Sequence, residues 1–453
     1  MPVEMRPPLD PAGVRIGIVH LGIGAFHRAH QAVFTEDARD GWGICGVSQR
    51  SRAVIDELAP QDGLYSVLIK SATRVDARVV GAVRELRFAD ASRIAEPAVR
   101  VVTLTVTEKG YRHDPATGRL RLDDEGIRAD LGGAPPRTVV GQLVRGLAAR
   151  RGADAGPVAV VCCDNLSHNG RTLAGLVGEF VAALPDEPLA EWIASHVSFP
   201  STVVDRIVPA TTPEDLAEAR RLIGLDDFGT VVTEPFKQWV IEDDFPGGRP
   251  AWEKAGAQLT ADVTPYEVIK LRMLNGAHSA LAYLGALAGC ETIAEAMTRF
   301  GEVARRLMSD DVAPTLDVPD GFDLAAYEQQ LLDRFANPAL RHRTVQVAMD
   351  GSQKLPQRLL ATIRERRAAG AEPRWAALAV AGWMRWVCVA PWLEDPMADR
   401  LRAAVAGASP EQVVDRLLAI PEIFGDDLRE DTVVRALLVD ALERITVSVE
   451  GVA

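Results

Sequence analysis

The sequence predicts an α/β domain built on a largely parallel sheet, followed by a mostly helical domain. Three observations predict it. Short apolar, β-branched runs alternate with helical stretches through the first half of the chain. Past about residue 260, helical patterns follow one another with few strand-like runs between them. A strand, a tight glycine turn and a helix stand at the first junction, in "IVHLGIGAFHRAHQAVF" (18–34).

The strand candidates are "GVRIGIVHLG" (13–22), "WGICGV" (42–47), "LYSVLIK" (64–70), "VRVVTLTV" (99–106), "PVAVVCC" (157–163) and "GTVVTEP" (229–235). Most lack clean polar alternation, which is the pattern of strands covered on both faces. Helical candidates fall between them at 28–40, 140–152 and 169–183, an order that favours βαβ units. In the second half, helical patterns cover 265–289, 323–336, 355–369, 373–390, 410–419 and 428–445. "DLAAYEQQLLDRFANP" (323–338) shows the form, with an Asp start and an Asn-Pro stop. "PGGRP" (246–250) is the expected hinge, and the two domains are expected over 1–258 and 259–453.

At 453 residues the chain exceeds one ordinary core, which agrees with two domains. Hydrophobic content of 47% with 25% charged residues belongs to a soluble globular protein. A net charge of −13 argues against nucleic acid or anionic membrane as a partner. No N-terminal stretch has the build of a signal peptide. The most apolar segment, "AALAVAGWMRWVCVAPW" (376–392), is too short to span a bilayer and carries Arg385 at its centre. Five scattered cysteines without a CxxC pair suit a reducing cytoplasm, neither a disulfide frame nor a zinc ribbon.

The glycine turn carries the first chemical signal. Gly22 and Gly24 permit a close backbone approach to a ligand. The helix expected to begin near His27 offers free N–H groups to a pyrophosphate. Gly22, Gly24, Ala25 and Phe26 are thus candidate cofactor contacts in a Rossmann-like domain, although His27 stands where G-x-G-x-x-G has its third glycine. An acid usually ends the second strand when NAD is preferred. Here "GVSQRSRAVIDE" (46–57) offers Ser48, Gln49, Arg50 and Arg52, with Asp56 too late, so the basic residues leave a 2′-phosphate open. His27 and His30 lie three apart on one helix face. With no third ligand nearby they are expected to be polar or phosphate-facing groups, and no metal site is expected.

"VTPYEVIKLRMLNGAH" (263–278) carries the second signal. Thr264, Pro265 and Glu267 form a capping box with proline at the first helical position. Lys270, Asn275 and His278 have no such local role, and with Glu267 they fall within an arc of about 140° at about 100° per residue. They interrupt an apolar helix and are able to line one cleft. Desolvation there lowers a lysine's pKa towards that of a general base. Asn275 suits donation to a developing alkoxide and His278 the orientation of a substrate hydroxyl; the alternative is a salt-bridged surface face. Asn165, in "DNLSHNG" (164–170), and Thr107, in "TVTEKGY" (105–111), each follow a strand, at the rim where ligands of open α/β sheets bind.

Taken together with "GIGAFHRAHQA", "FPSTVVDRIVP", "EPFKQWVIED" and "DGSQKLPQRLL", these stretches resemble the mannitol dehydrogenase family of zinc-independent polyol dehydrogenases, over about residues 15 to 445. The resemblance implies NAD(P)-dependent interconversion of a secondary alcohol and a ketose. It implies Lys270 as general base, Asn165 and Asn275 holding the reacting oxygen, His278 positioning substrate and Glu267 in proton exchange with solvent. The helix thereby becomes the catalytic wall between two domains. Arg52 and Ala53 stand where some members carry an acidic pair; NAD is still expected, with NADP possible. Mannitol and fructose are the first expected substrate pair. Gln346 stands where some mannitol 2-dehydrogenases have arginine, and the wording of 340–360 also resembles fructuronate reductases, which act on mannonate. For a sugar acid, Arg341, Arg343, Lys354 and Arg358 are candidate carboxylate contacts. A nucleotide-binding protein without catalysis is the remaining alternative. The resemblance implies a monomer, and the cysteine usage a cytoplasmic one.

Overall fold

The computed structural model describes residues 3–8, 10–114 and 117–452, and the chain divides into two units, up to Thr264 and from Pro265 on. Among the described residues the first unit contains twelve strands. They are β1 (Arg15–Leu21), β2 (Trp42–Ser48), β3 (Tyr65–Lys70), β4 (Val75–Val80), β5 (Val83–Phe88), β6 (Val101–Leu104), β7 (Val158–Cys162), β8 (Val197–Ser198), β9 (Thr202–Asp205), β10 (Val231–Thr233), β11 (Gln238–Glu242) and β12 (Gln258–Thr260). The main sheet runs β5-β2-β1-β6-β7-β8 and every pairing in it is parallel. Strand order therefore reverses at β1, between β2 and β6, which is where an open α/β sheet opens a crevice at its carboxyl edge. Two three-stranded sheets, β10-β3-β4 and β12-β11-β9, complete the unit.

Both faces of the main sheet are covered. Val19, Leu21, Val102, Leu104, Val158 and Val160 point into one core, and Ile18, Ile44, Val101, Ala159 and Val161 into another. Pleating sends neighbours to opposite faces, so a strand covered twice reads as an unbroken apolar run. The six strands with that texture were legible; β4, β5, β8, β9, β11 and β12 were not. β5, "VRELRF", is an edge strand that keeps most of its side chains partly exposed, and β8 is two residues long. The helix expected over 28–40 is two helices, Ala25–Ala29 and Gln31–Ala38, broken at His30, whose φ of −124° and ψ of −86° are not helical. Arg150 anchors the loops behind the sheet: fully buried, it donates to the carbonyls of Ile94, Glu96, Val99, Ala155, Gly156 and Pro157.

The second unit is helical. Asp323 caps Leu324–Phe335 by accepting from Ala326 N, and Asn337 turns the chain at its end. Arg374–Val389 is buried along most of its length, and Asp311 receives the N–H groups of Trp375 and Ala376 at its start. The helix expected over 428–445 is a pair, Pro421–Glu430 and Thr432–Val447, because Asp431 caps the second through the N–H groups of Val433 and Val434. Three π-helical turns interrupt the α-helices, at Lys270–Asn275, Leu307–Val312 and Pro356–Leu360. Such turns are rare and concentrate at functional sites.

Candidate active site

At the carboxyl edge of the first unit the β1, β6 and β7 ladders end at Leu21, Leu104 and Cys162. Just beyond, Gly22 has φ +98°, and a Cβ there would lie 2.2 Å from the Thr105 carbonyl oxygen. Its absent side chain is demanded by the approach of two strands. Gly24 differs: its φ is −93° and a Cβ would meet nothing closer than the Gly22 oxygen at 3.8 Å. No protein atom requires glycine there. The open space lies over the first turn of Ala25–Ala29, where Ala25 and Phe26 carry N–H groups outside the intrahelical ladder. Phe26 itself packs its ring on His30 at 5.1 Å. The turn fits a dinucleotide's pyrophosphate.

The histidines of this motif do not face phosphate, and this corrects the sequence reading. His27 and His30 are both 0% exposed. His27 stacks on His20 with ring centroids 3.4 Å apart. His30 Nε2 bonds the Gln238 carbonyl at 2.8 Å. His20 bonds Gly22 O and Thr105 Oγ1 through Nε2 and Thr103 Oγ1 through Nδ1. A carbonyl only accepts, so the neutral ring carries its proton on Nε2. Burial pulls the pKa values of His20 and His30 down to about 3, and lowers that of His27 too. The helix phase places these rings beneath the turn and against the sheet.

At the end of β2 there is no acid, as the sequence indicates. Arg50 is exposed, with its guanidinium beside Gly110. Arg52 lies over the Phe88 ring at 5.5 Å and 4.0 Å from Asp56. Beside them, the Gln49 amide is buried with neither end hydrogen-bonded among the described residues. Thr107, past the end of β6, is exposed and has φ +68° and ψ 156°. That is strained ground for a β-branched residue. Its N–H donates to Asp164 Oδ1 at 3.0 Å, and Val106 N and the Tyr111 hydroxyl donate to Oδ2 at 2.9 and 2.6 Å. Burial raises the Asp164 pKa, and these three donors pull the other way. Asn165 follows immediately and is exposed.

The motif helix starts at Thr264, the last residue of the first unit, whose N–H is accepted by Asp262 Oδ1 at 2.9 Å, and runs on into the second. The π turn at Lys270–Asn275 was not visible in the sequence. One extra residue in the turn takes back about 100° of rotation, so the four polar groups narrow from the straight-helix arc to roughly 80°. Lys270 is 8% exposed; Glu267, Asn275 and His278 are half-buried. Gly276 lets the Arg358 carbonyl approach to 3.0 Å of where its Cβ would stand.

His278 is packed against Phe335 and His342, with ring centroids 5.3 and 4.8 Å away. Its Nε2 is buried and has no hydrogen-bond partner among the described residues. Burial, then His342, Arg358, Arg334 and Lys354, hold its pKa well below the usual value. Arg358 donates to Ser279 Oγ at 3.2 Å, and Lys354 to the Met349 carbonyl at 2.6 Å. Of the sequence's carboxylate candidates, Arg341 and Arg343 are exposed, and Arg343 forms a backbone bridge to Thr292. The buried Arg334 was missed, because "LLDRF" reads as an ordinary charged helix face. Among the described residues, no group of three or more His, Cys, Asp or Glu is placed to hold a metal ion, and no helix is long and apolar enough to cross a membrane.

Comparison with known proteins gives both halves. Residues 16–254 match the mannitol dehydrogenase Rossmann domain and 262–446 the mannitol dehydrogenase C-terminal domain. An uncharacterized oxidoreductase of Escherichia coli K12, YeiQ, is 47% identical over 94% of this chain and 91% of its own. The D-mannonate oxidoreductase of the same strain is 44% identical over 94% of this chain and 92% of its own. The solved mannitol 2-dehydrogenase of Pseudomonas fluorescens, a ternary complex with NAD and D-mannitol, superposes with a TM-score of 0.85 at 38% identity, covering 97% of this chain and 94% of that one.

Proposed function

The chain is an oxidoreductase of the mannitol dehydrogenase family, and from that premise we propose that it interconverts a secondary alcohol and a ketone on an open-chain sugar derivative, with NAD as coenzyme and Lys270 as general base. NAD, when bound, supplies the hydride acceptor at C4 of its nicotinamide. Its pyrophosphate would lie over Gly24 and the first turn at Ala25 and Phe26, with Arg50 and Thr107 at the edges of the same rim. Gly22 shapes that turn. NADP is the second coenzyme reading, favoured by the missing acid after β2 and the exposed Arg50.

Lys270 acts as the uncharged amine and takes the hydroxyl proton as the carbon gives up hydride. Asn165 and Asn275 are neutral amides that donate to the oxygen as charge develops on it. Glu267 exchanges the proton with solvent. His278 orients a substrate hydroxyl through Nε2, the buried nitrogen without a protein partner.

The surroundings of His278 are the observation that ranks the substrates. Arg358, Arg334 and Lys354 all act on that ring. Positive charge gathered around that ring favours an anionic carboxylate over a neutral polyol. The sugar-acid pair, mannonate and fructuronate, therefore goes first, supported by the 44% identity to a D-mannonate oxidoreductase. Mannitol and fructose come second, supported by the likeness to the Pseudomonas enzyme. Absorbance at 340 nm with mannonate, mannitol, arabinitol and sorbitol, each with NAD and NADP, tests this. Mannonate with NAD is the expected best pair; turnover of mannitol and none of mannonate would reverse the order.

A further inference from the structure

The parallel ladders stop at Leu21, Leu104 and Cys162, yet the chain stays tied together past that point. On the β1 side, Thr105 Oγ1 and His20 Nε2 both hold the Gly22 carbonyl, at 2.9 and 3.1 Å. On the β7 side the tie is one carboxylate. Asp164 receives Val106 N and Thr107 N on its two oxygens, so two successive amides beyond β6 are fastened to the residue just after "VVCC". The third donor, the Tyr111 hydroxyl, is 0% exposed and also touches Cys162 Sγ at 3.1 Å, so the carboxylate is braced from behind.

This arrangement explains an otherwise costly backbone. Thr107 has φ +68° and ψ 156°, a region essentially reserved for glycine. Such a conformation persists only where its surroundings over-determine it. The bond from Thr107 N to Asp164 supplies that constraint. The result is an exposed, rigidly held residue at the carboxyl edge, one strand from Gly22, and on the other side of the clamp Asp164 leads directly into Asn165.

We propose that Asp164 is a positioning residue for the reaction, fixing the strained Thr107 backbone and the start of the Asn165 loop at one spacing. This rests on the reading of that edge as the coenzyme's side. It goes beyond that reading by assigning a role to a side chain that itself touches neither coenzyme nor substrate. Asp164→Asn keeps the shape but sets an amide N–H against a donor. Tyr111→Phe removes one donor and leaves both backbone bonds. Thr107→Gly removes the strain that the carboxylate has to hold.

The test uses the full chain, with the functional reading checked first on the wild type: NAD binding by titration calorimetry and turnover with the best substrate of the screen. A wild type that binds no NAD or turns over none of the substrates would overturn that reading and this proposal with it; an active wild type isolates the proposal. Against an active wild type, Asp164→Asn is expected to lower kcat about 10- to 100-fold, with substrate KM within about threefold, since ångström-scale misplacement carries penalties of that size. NAD affinity, read by calorimetry, should weaken in parallel. Tyr111→Phe should stay within about twofold of wild-type kcat, and adding Thr107→Gly to Asp164→Asn should recover part of the lost turnover. Asp164→Glu keeps charge and acceptors but displaces them, and carries the same expectation for kcat if Asp164→Asn does not fold. A lower melting temperature with kcat per folded molecule within twofold of wild type would overturn the proposal, leaving Asp164 a purely structural clamp. So would a double variant no better than Asp164→Asn alone.

Discussion

Lowering pH from 7.5 to 5 should destabilise the first unit by several kcal/mol through its buried histidines. His20 and His30 are 0% exposed, and burial brings each from the ordinary 6.5 to a pKa of about 3. Between those two values the unfolded chain binds a proton at each site and the folded chain does not, so stability falls as pH falls. For one such histidine the loss is almost nothing at pH 7.5 and about 2 kcal/mol at pH 5, hence about 4 kcal/mol for the pair. His27 is shifted the same way and adds to it. Against a domain stability of about 5–15 kcal/mol this is a large fraction, and it corresponds to a fall in melting temperature of roughly 10 °C. Scanning calorimetry at the two pH values reads it directly. Other groups titrate in the same window, so the decisive comparison is His30→Gln, which keeps a donor for the Gln238 carbonyl and loses the titration. Its pH-dependent loss should be smaller than wild type by about 2 kcal/mol. An identical pH dependence in wild type and variant would refute the reasoning, since the ring would then not be held neutral by burial.

Other perturbations separate packing from chemistry. Gly22→Ala places a methyl against the Thr105 carbonyl at positive φ and should cost about 2–4 kcal/mol in urea unfolding. Gly24→Ala should leave stability within about 0.5 kcal/mol, because no protein atom is in the way, and weaken NAD binding measured by titration. Arg150→Met strands six carbonyls, three of them in buried hydrogen bonds, and should destabilise by about 3–5 kcal/mol, with kcat of the remaining folded protein unchanged. Arg358→Met should lower kcat/KM for mannonate by about tenfold or more and for a neutral polyol far less, if a charge-assisted bond of about 1.5–3 kcal/mol is what the carboxylate loses.

What was legible in the sequence follows from which physics leaves a local trace. Strands covered on both faces announce themselves as apolar runs, so β1, β2, β6 and β7 were readable, while the two-residue β8 was not. Glycine spacing marked the turn, but the reason for each glycine came only from three dimensions: Gly22 answers to Thr105, and Gly24 answers to no protein atom. The histidines misled because a three-residue spacing says that two rings share a face without saying which face is buried. On the motif helix, spacing places Glu267, Lys270, Asn275 and His278 on one face, but with straight-helix geometry. The π turn that tightens their arc depends on tertiary packing against 356–360, at Gly276 and Arg358, which no local pattern encodes. Arg334 escaped because its burial leaves no trace in the charged pattern of its own helix.

If the Lys270 amine takes the substrate's hydroxyl proton, Lys270→Ala removes the base while leaving the coenzyme's proposed contacts in place. Stopped-flow turnover of the preferred alcohol, paired with NAD titration of the same protein, is the measurement. With the base gone, kcat should fall by about 10² to 10⁴ while NAD affinity stays within about twofold. Turnover near that of wild type, with coenzyme bound as before, would contradict it.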